Sequence, residues 1–266
     1  MQATASSSLR DLYDLQMRRN TTPDASGSFV EWGPTFVRWS ANGGLGWSEI
    51  SWAQLNEATT RDFVATQIDY FSQRSQSFVW RVHDYDEPSN RGSQLLDAGF
   101  TLTGNSTVMV ATAASFTDEV KLPEGATLLR VHDEEGVDLL IKTHEEVFGH
   151  SHQDLRRSIL ARLENGPEES EMFVVTANGE PLSAARIEFL PNRDFATLWG
   201  GGTMPQWRGR GIYRALVLER ARVASERGYT YLLVLASDLS RPILSRLGFD
   251  VITTVSTYSW DPSHGV

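Results

Sequence analysis

The stretch Leu95-Leu96-Asp97-Ala98-Gly99-Phe100 has a counterpart in Leu244-Ser245-Arg246-Leu247-Gly248-Phe249. Each follows a helix-patterned segment and an apolar strand, and each precedes a closing strand. A chain that runs through the same four elements in the same order twice is predicted to be a duplicated α/β unit. Chance can produce the short match alone, because glycine is a common helix C-cap and a following phenylalanine packs back on the helix. The matched order of elements favours duplication. The length of 266 residues agrees, since domains cluster around 100 to 150 residues and this chain has room for two.

In the first half, a helix is expected over residues 8–19, ended by Asn20-Thr21-Thr22-Pro23-Asp24. Strands over 29–39 and 46–55 form a hairpin around Asn42-Gly43-Gly44. A helix over 59–74, a strand over 77–82 and a helix over 88–98 follow. Residues 113–125 turn small and charged around Pro123 and are taken as a linker, dividing the chain into 1–112 and 126–266. The second half reads as a strand over 127–131, helices over 136–147 and 153–163, and strands over 172–177 and 182–189 joined by the tight turn Asn178-Gly179. A strand over 195–202, a helix over 212–227, a strand over 231–235, a helix over 241–247 and a last strand over 251–260 complete it. The fold class is therefore α/β, a mixed sheet flanked by helices in each of two units.

Composition excludes several chemistries. No cysteine is present, which removes disulfides, thiolate zinc sites and a cysteine nucleophile. A formal charge of −10 opposes nucleic-acid binding, which depends on clustered Lys and Arg, and suits an amine or otherwise cationic substrate. The first ten residues hold no apolar signal region, and no run approaches the roughly 18 apolar residues of a membrane span. A soluble cytoplasmic protein, monomer or homodimer, is the expectation.

The chemistry is expected at the junction between the strand ending near Gly202 and the helix beginning at Ile212. The first N–H groups of a helix lack internal partners and carry the positive end of its dipole, so they can hold a diphosphate. Gly209 and Gly211 have no Cβ to keep a ligand away, and Arg208 and Arg210 add positive charge. The segment Gln206-Trp207-Arg208-Gly209-Arg210-Gly211 resembles the signature of the GNAT superfamily of N-acyltransferases: Gln or Arg, two residues, Gly, one residue, Gly or Ala. The likeness continues through the following helix, the strand from Tyr231, Ser240-Arg241-Pro242-Ile243-Leu244 and the Gly248-Phe249 close. It covers about residues 126–260, and the first half more faintly.

That resemblance implies two GNAT-like units in tandem and acetyl-CoA, or a related acyl-CoA, as cosubstrate. Backbone around Gly202, Thr203 and Met204 would bind the pantetheine arm; Gln206, Trp207, Arg208, Gly209, Arg210, Gly211 and Ile212 would bind the pyrophosphate, with Ser240 also assigned to the cofactor. Gly200, Gly201 and Gly202 are unusual in a strand and mark a bulge or a close backbone approach. In the first half the corresponding helix start carries Glu57 and no glycine, so like charge would repel phosphate there. The first unit is expected to be a degenerate copy serving as scaffold or substrate wall.

Acyl transfer to an amine needs a base and a proton for the departing thiolate. The resemblance makes Glu188 the candidate base, although the same position suits a solvent-facing strand residue. Many relatives place tyrosine where this chain has Leu244; Ser245, Ser240, Tyr213 or Tyr258 could substitute, Ser245 and Tyr258 being carried forward as candidates, or the thiolate could leave unassisted. His144, Glu145, His150 and His152 lack zinc-ligand spacing, no metal is expected, and the histidines are taken as solvent-exposed with a role open to them in acceptor binding. The implied function is N-acetyltransfer to a primary amine, a small molecule being favoured; the alternative is a non-catalytic acyl-CoA-binding module.

Overall fold

The computed structural model describes residues 9–21, 28–42 and 47–264, and part of the turn expected at Asn42-Gly43-Gly44 lies outside them. Helix α1 spans residues 9–19. Strands β1 (Phe29–Trp32), β2 (Phe36–Ser40) and β3 (Glu49–Ala53) follow, then α2 (Glu57–Ser72), β4 (Phe78–His83), α3 (Arg91–Asp97) and β5 (Thr101–Thr112). The single strand expected over 29–39 is thus a hairpin, β1 pairing antiparallel with β2. After residue 125 come β6 (Ala126–Val131), α4 (Glu134–Phe148), α5 (Gln153–Asn165), β7 (Ser170–Ala177), β8 (Glu180–Phe189), β9 (Phe195–Thr203), α6 (Ile212–Glu226), β10 (Tyr231–Ala236), α7 (Arg241–Arg246) and β11 (Asp250–Trp260).

All eleven strands join one sheet in the order β1-β2-β3-β4-β11-β5-β10-β9-β8-β7-β6. Reading outward from the β11–β5 pair, β11-β4-β3-β2-β1 on one side matches β5-β10-β9-β8-β7 on the other, and β6 is an added edge strand of the second half. β3 and β4 are parallel, and so are β9 and β10; α2 and α6 are the respective crossovers. The closing strands are exchanged. β5 pairs with β10 of the second half, β11 pairs with β4 of the first, and β5 and β11 pair with each other.

The repeat found in sequence shares its backbone turn. Gly99 and Gly248 are left-handed at φ 90 and 94. Phe100 N–H donates to the Leu95 carbonyl at 3.0 Å, and Phe249 N–H to that of Leu244 at 3.1 Å. This is the glycine-ended helix stop that satisfies free carbonyls.

Alternation along β10 shows how the sheet is covered. Leu232 and Val234 pack with Leu216, Val217 and Ala221 of α6, while Leu233 packs with Tyr13 of α1, Val108 and Val110. In the first half, Ile50, Phe78, Trp80 and Trp260 build a core with Val64 and Phe71 of α2. Helix α1 ties the halves together. Its buried Arg18 donates to the Ser51 carbonyl at 3.0 Å and to Asp86 at 2.9 Å, and Gln16 donates to Asp194 at 2.6 Å.

Candidate active site

The parallel pairing of β9 with β10 runs over residues 195–197 and 231–233 only. Beyond that point β9 stays paired with β8 as far as Thr203, and β10 with β5 as far as Ala236. The two strands therefore diverge while each is held on its outer side. A gap opens between them. Met204 N–H donates to the Leu182 carbonyl at 2.9 Å and the Gly202 carbonyl accepts from Ser183 Oγ at 2.7 Å, both toward β8. Antiparallel alternation then turns the N–H and C=O of Thr203 toward the gap.

At the far end of β9, a short turn over Pro205–Trp207 leads into the start of α6. Gly211 caps this helix in a left-handed conformation at φ 81, and no side chain caps it. Gly209 is left-handed too, at φ 75, and a Cβ at either glycine would meet nothing within 4 Å. The glycines are required by backbone conformation, and the space beside them is open. Ala215 N–H makes the first helical bond, to the Gly211 carbonyl, so the amides before it point outward without a helical partner. Arg208 reaches back from its exposed position to the Thr203 carbonyl at 3.0 Å, and exposed Arg210 lies 4.6 Å from the half-buried Trp207 ring. Gln206 Nε2 lies 3.7 Å from Met204 Sδ.

A cavity of about 340 Å³ reaches the diverging strands at Thr197, Trp199, Leu233 and Leu235. Both halves wall it. Tyr13 and Arg18 of α1 and Glu49, Arg81 and His83 of β3 and β4 face Arg162, Arg186 and Glu188 across it. Glu188 is mostly buried, its carboxylate 3.1 Å from Arg186 Nε and 3.3 Å from Arg162 Nη1. It stands beside Thr197 in the β8–β9 register and is not a solvent-facing residue.

The first-half counterpart of this gap is closed. Asn56 caps α2 with its own side chain, accepting from Thr59 N–H at 3.0 Å, and the Thr59 hydroxyl accepts from Asn56 N–H at 3.1 Å. Along β3, the Ser51 carbonyl accepts from Arg18 and the Ala53 carbonyl from Arg91 Nη2 at 3.2 Å. Two buried arginines occupy what the second half leaves open.

Residues 134–249 match the model of the Acetyltransferase (GNAT) family. Over these residues the second half of the chain is similar to the GNAT acetyltransferases. The whole chain is similar to a GCN5-related N-acetyltransferase from Kribbella flavida, at 14% identity and a TM-score of 0.70, covering 97% of this chain and 95% of that one. A tandem GNAT protein from the clavulanic acid biosynthesis pathway aligns at 10% identity and 0.64, covering 97% and 94%. A GCN5-related N-acetyltransferase from Sphaerobacter thermophilus aligns at 17% and 0.58, covering 87% and 82%. Identities this low establish a shared fold, here the GNAT fold in tandem. No curated protein matches the chain in sequence.

Within the GNAT half, Leu244 is fully buried in the core under α6, and Ser245 is exposed on the other side of α7. Ser240 is bound into a local turn, its Oγ accepting from Ser237 N–H at 3.0 Å. Tyr258 is not brought to this site. It lies on the exchanged strand β11 opposite Trp80, packed in the first-half core under α3. Tyr213 packs against Gly201, and burial raises its pKa.

The histidine reading needs one correction. His150 is exposed, but His144 is buried, 1% exposed, and its Nε2 lies 2.8 Å from the Gly200 carbonyl. Burial first, and then the nearby Arg186 charge, push its pKa down to about 4, so it is neutral at physiological pH. A signal for this stood in the sequence: Val137, Leu140, Ile141 and His144 form one helical stripe, and all four are buried. Among the described residues no cluster of three His, Asp or Glu side chains is placed to hold a metal, and no helix is long and apolar enough to cross a membrane.

Proposed function

We propose that the chain transfers an acetyl or other short acyl group from acyl-CoA to a primary amine of a small molecule, with the cofactor bound only in the GNAT half. The observation that carries this reading is the uncapped start of α6 beside the unpaired end of β9. The diphosphate would lie against the free amides of residues 209–214 with Arg208 and Arg210 nearby. The pantetheine arm would follow β9 past Met204 and Gly202 and pair with Thr203, whose backbone faces the gap. The thioester would then reach the point where β9 and β10 part, which is also where the cavity between the halves begins. An amine entering through that cavity meets the carbonyl carbon from the side opposite α6.

In this account Glu188 removes a proton from the ammonium group, directly or through water, and the nitrogen attacks the thioester carbonyl. Collapse of the tetrahedral intermediate breaks the C–S bond and releases the CoA thiolate, and the extra proton on the nitrogen passes to that thiolate or to water. No tyrosine is needed at position 244, since a thiolate is a far better leaving group than an amine.

Residues 1–112 and 126–266 are two copies of one unit that have exchanged closing strands, with 113–125 between them. The first copy has lost its cofactor site to Arg18, Arg91 and the Asn56 cap, and it supplies one wall of the acceptor cavity. The buried Leu244 favours a second reading, an acyl-CoA-binding module without catalysis. Thiol release measured over a panel of amines, beside calorimetric binding of acetyl-CoA, separates the two. Binding with amine-dependent thiol release supports the enzyme; binding with no release across the panel supports the module.

A further inference from the structure

We infer that His144 and Arg220 are positioning residues that hold the β8–β9 bulge from its two faces, His144 through β9 and Arg220 through β8, and so set the path of the strand along which the cofactor lies. The inference rests on the acyl-CoA reading above. In the β8–β9 register Arg186 pairs with Trp199 and Ala184 with Gly202, so Gly200 and Gly201 together oppose Ala185. Two residues against one is a β-bulge, which removes carbonyls from the ladder and leaves them in need of other donors.

One carbonyl on each strand at the bulge, Gly200 of β9 and Arg186 of β8, is met by a buried side chain from a different helix. The Gly200 carbonyl accepts from His144 Nε2 at 2.8 Å, from α4, which requires the tautomer protonated at Nε2. On the α6 side, Arg220 Nη1 donates to the Arg186 carbonyl at 3.3 Å while its Nε is fixed on the Leu216 carbonyl at 2.9 Å. Both side chains are 1% exposed. Among the described residues no carboxylate pairs with Arg220, and burial lowers its pKa to about 10. A buried arginine without a counter-ion is costly and is retained here as a donor to backbone.

The glycine run follows from the same contacts. A Cβ at Gly200 would come within 2.6 Å of the His144 ring, one at Gly201 within 3.0 Å of Tyr213, and one at Gly202 within 2.8 Å of Val147. The side chains touch the strand backbone directly, so only glycine fits. The clamp lies immediately after the last residues that pair β9 with β10, where the direction of the free strand is decided.

The test uses the full chain. His144→Leu keeps the apolar packing of the helix stripe and removes the donor; His144→Gln restores a donor at similar reach; Arg220→Met and Arg220→Lys do the same on the other face. Amide exchange without ligand is expected to quicken about tenfold over residues 198–204 in the Leu and Met variants relative to residues 126–131, and to return toward wild type in the Gln and Lys variants. Acetyl-CoA should bind about tenfold more weakly to His144→Leu than to wild type or His144→Gln. Unchanged exchange, or equally fast exchange in His144→Leu and His144→Gln, overturns the clamp. Equal acetyl-CoA affinity in wild type and His144→Leu overturns the positioning role alone. The exchange response with no binding to wild type overturns the acyl-CoA reading and the positioning role with it.

Discussion

Asn56 stands at the start of α2 where Gly211 stands at the start of α6, and the first closes its helix with a side chain while the second leaves its helix open. The two halves share strand order, crossover and closing turn, so this difference is local. On the acyl-CoA reading it sets which half takes the diphosphate. An Asn side chain that accepts from Thr59 already satisfies an amide that a diphosphate would need, and Glu57 adds like charge beside it.

The first prediction follows at Gly209. Asn and Asp both tolerate left-handed φ better than other side chains, so Gly209→Asn reports the small cost of a side chain and Gly209→Asp adds a negative charge. Acetyl-CoA affinity measured by calorimetry should fall less than about tenfold in the Asn variant and about 100-fold or more in the Asp variant, ~2.7 kcal/mol. Equal losses would show that charge at this position does not matter.

Glu188 gives a kinetic prediction. Glu188→Gln preserves shape beside Arg186 and Arg162 but cannot accept a proton. With an active amine identified, kcat should drop about 100-fold with acetyl-CoA affinity unchanged, the usual scale for a lost general base. Full activity in this variant would leave water as the proton acceptor.

The exchanged strands predict that residues 126–266 do not form a stable monomer alone. Without β5, strand β10 becomes an open edge and Leu233 loses Val108 and Val110. Expressed alone, this fragment should be insoluble or self-associated in sedimentation; addition of 1–125 should recover a soluble complex. A monomeric fragment with a cooperative melt would show that the exchange is dispensable.

His144 predicts an acid sensitivity. Its folded pKa, about 4, lies below the ordinary 6.5. Between those values the unfolded chain binds a proton that the folded chain does not, so stability is complete above pH 6.5 and declines as pH falls toward 4. At pH 5 the loss is about 2 kcal/mol relative to pH 7. His144→Gln lacks this term, so the gap in denaturation free energy between variant and wild type should shift in the variant's favour by that amount from pH 7 to pH 5. A constant gap would mean that the imidazole is not held neutral.

Local elements were legible in the sequence because their signals are local. The Asn178-Gly179 turn joins β7 to β8, with both residues at positive φ, and the Gly99 and Gly248 stops mark the repeat. The strand exchange left no such mark. The apolar alternation of β5 and β11 suits either neighbour, so pairing across halves is decided only by packing over long sequence separations. Tyr258 followed its strand into the first-half core for that reason. Arg18 and Arg91 were equally hidden, since nothing in their neighbourhoods announces that both converge on the carbonyls of β3. The glycine segment was the reverse case, because left-handed backbone at Gly209 and Gly211 demands the residue type that the sequence displays.

The central claim is one acyl-CoA site, in the second half, at the open start of α6. The most direct measurement is amide exchange across the full chain with and without saturating acetyl-CoA. Protection confined to residues 198–216, with residues 51–60 unchanged, is the predicted result. Protection at residues 51–60, or none at residues 198–216, would contradict it.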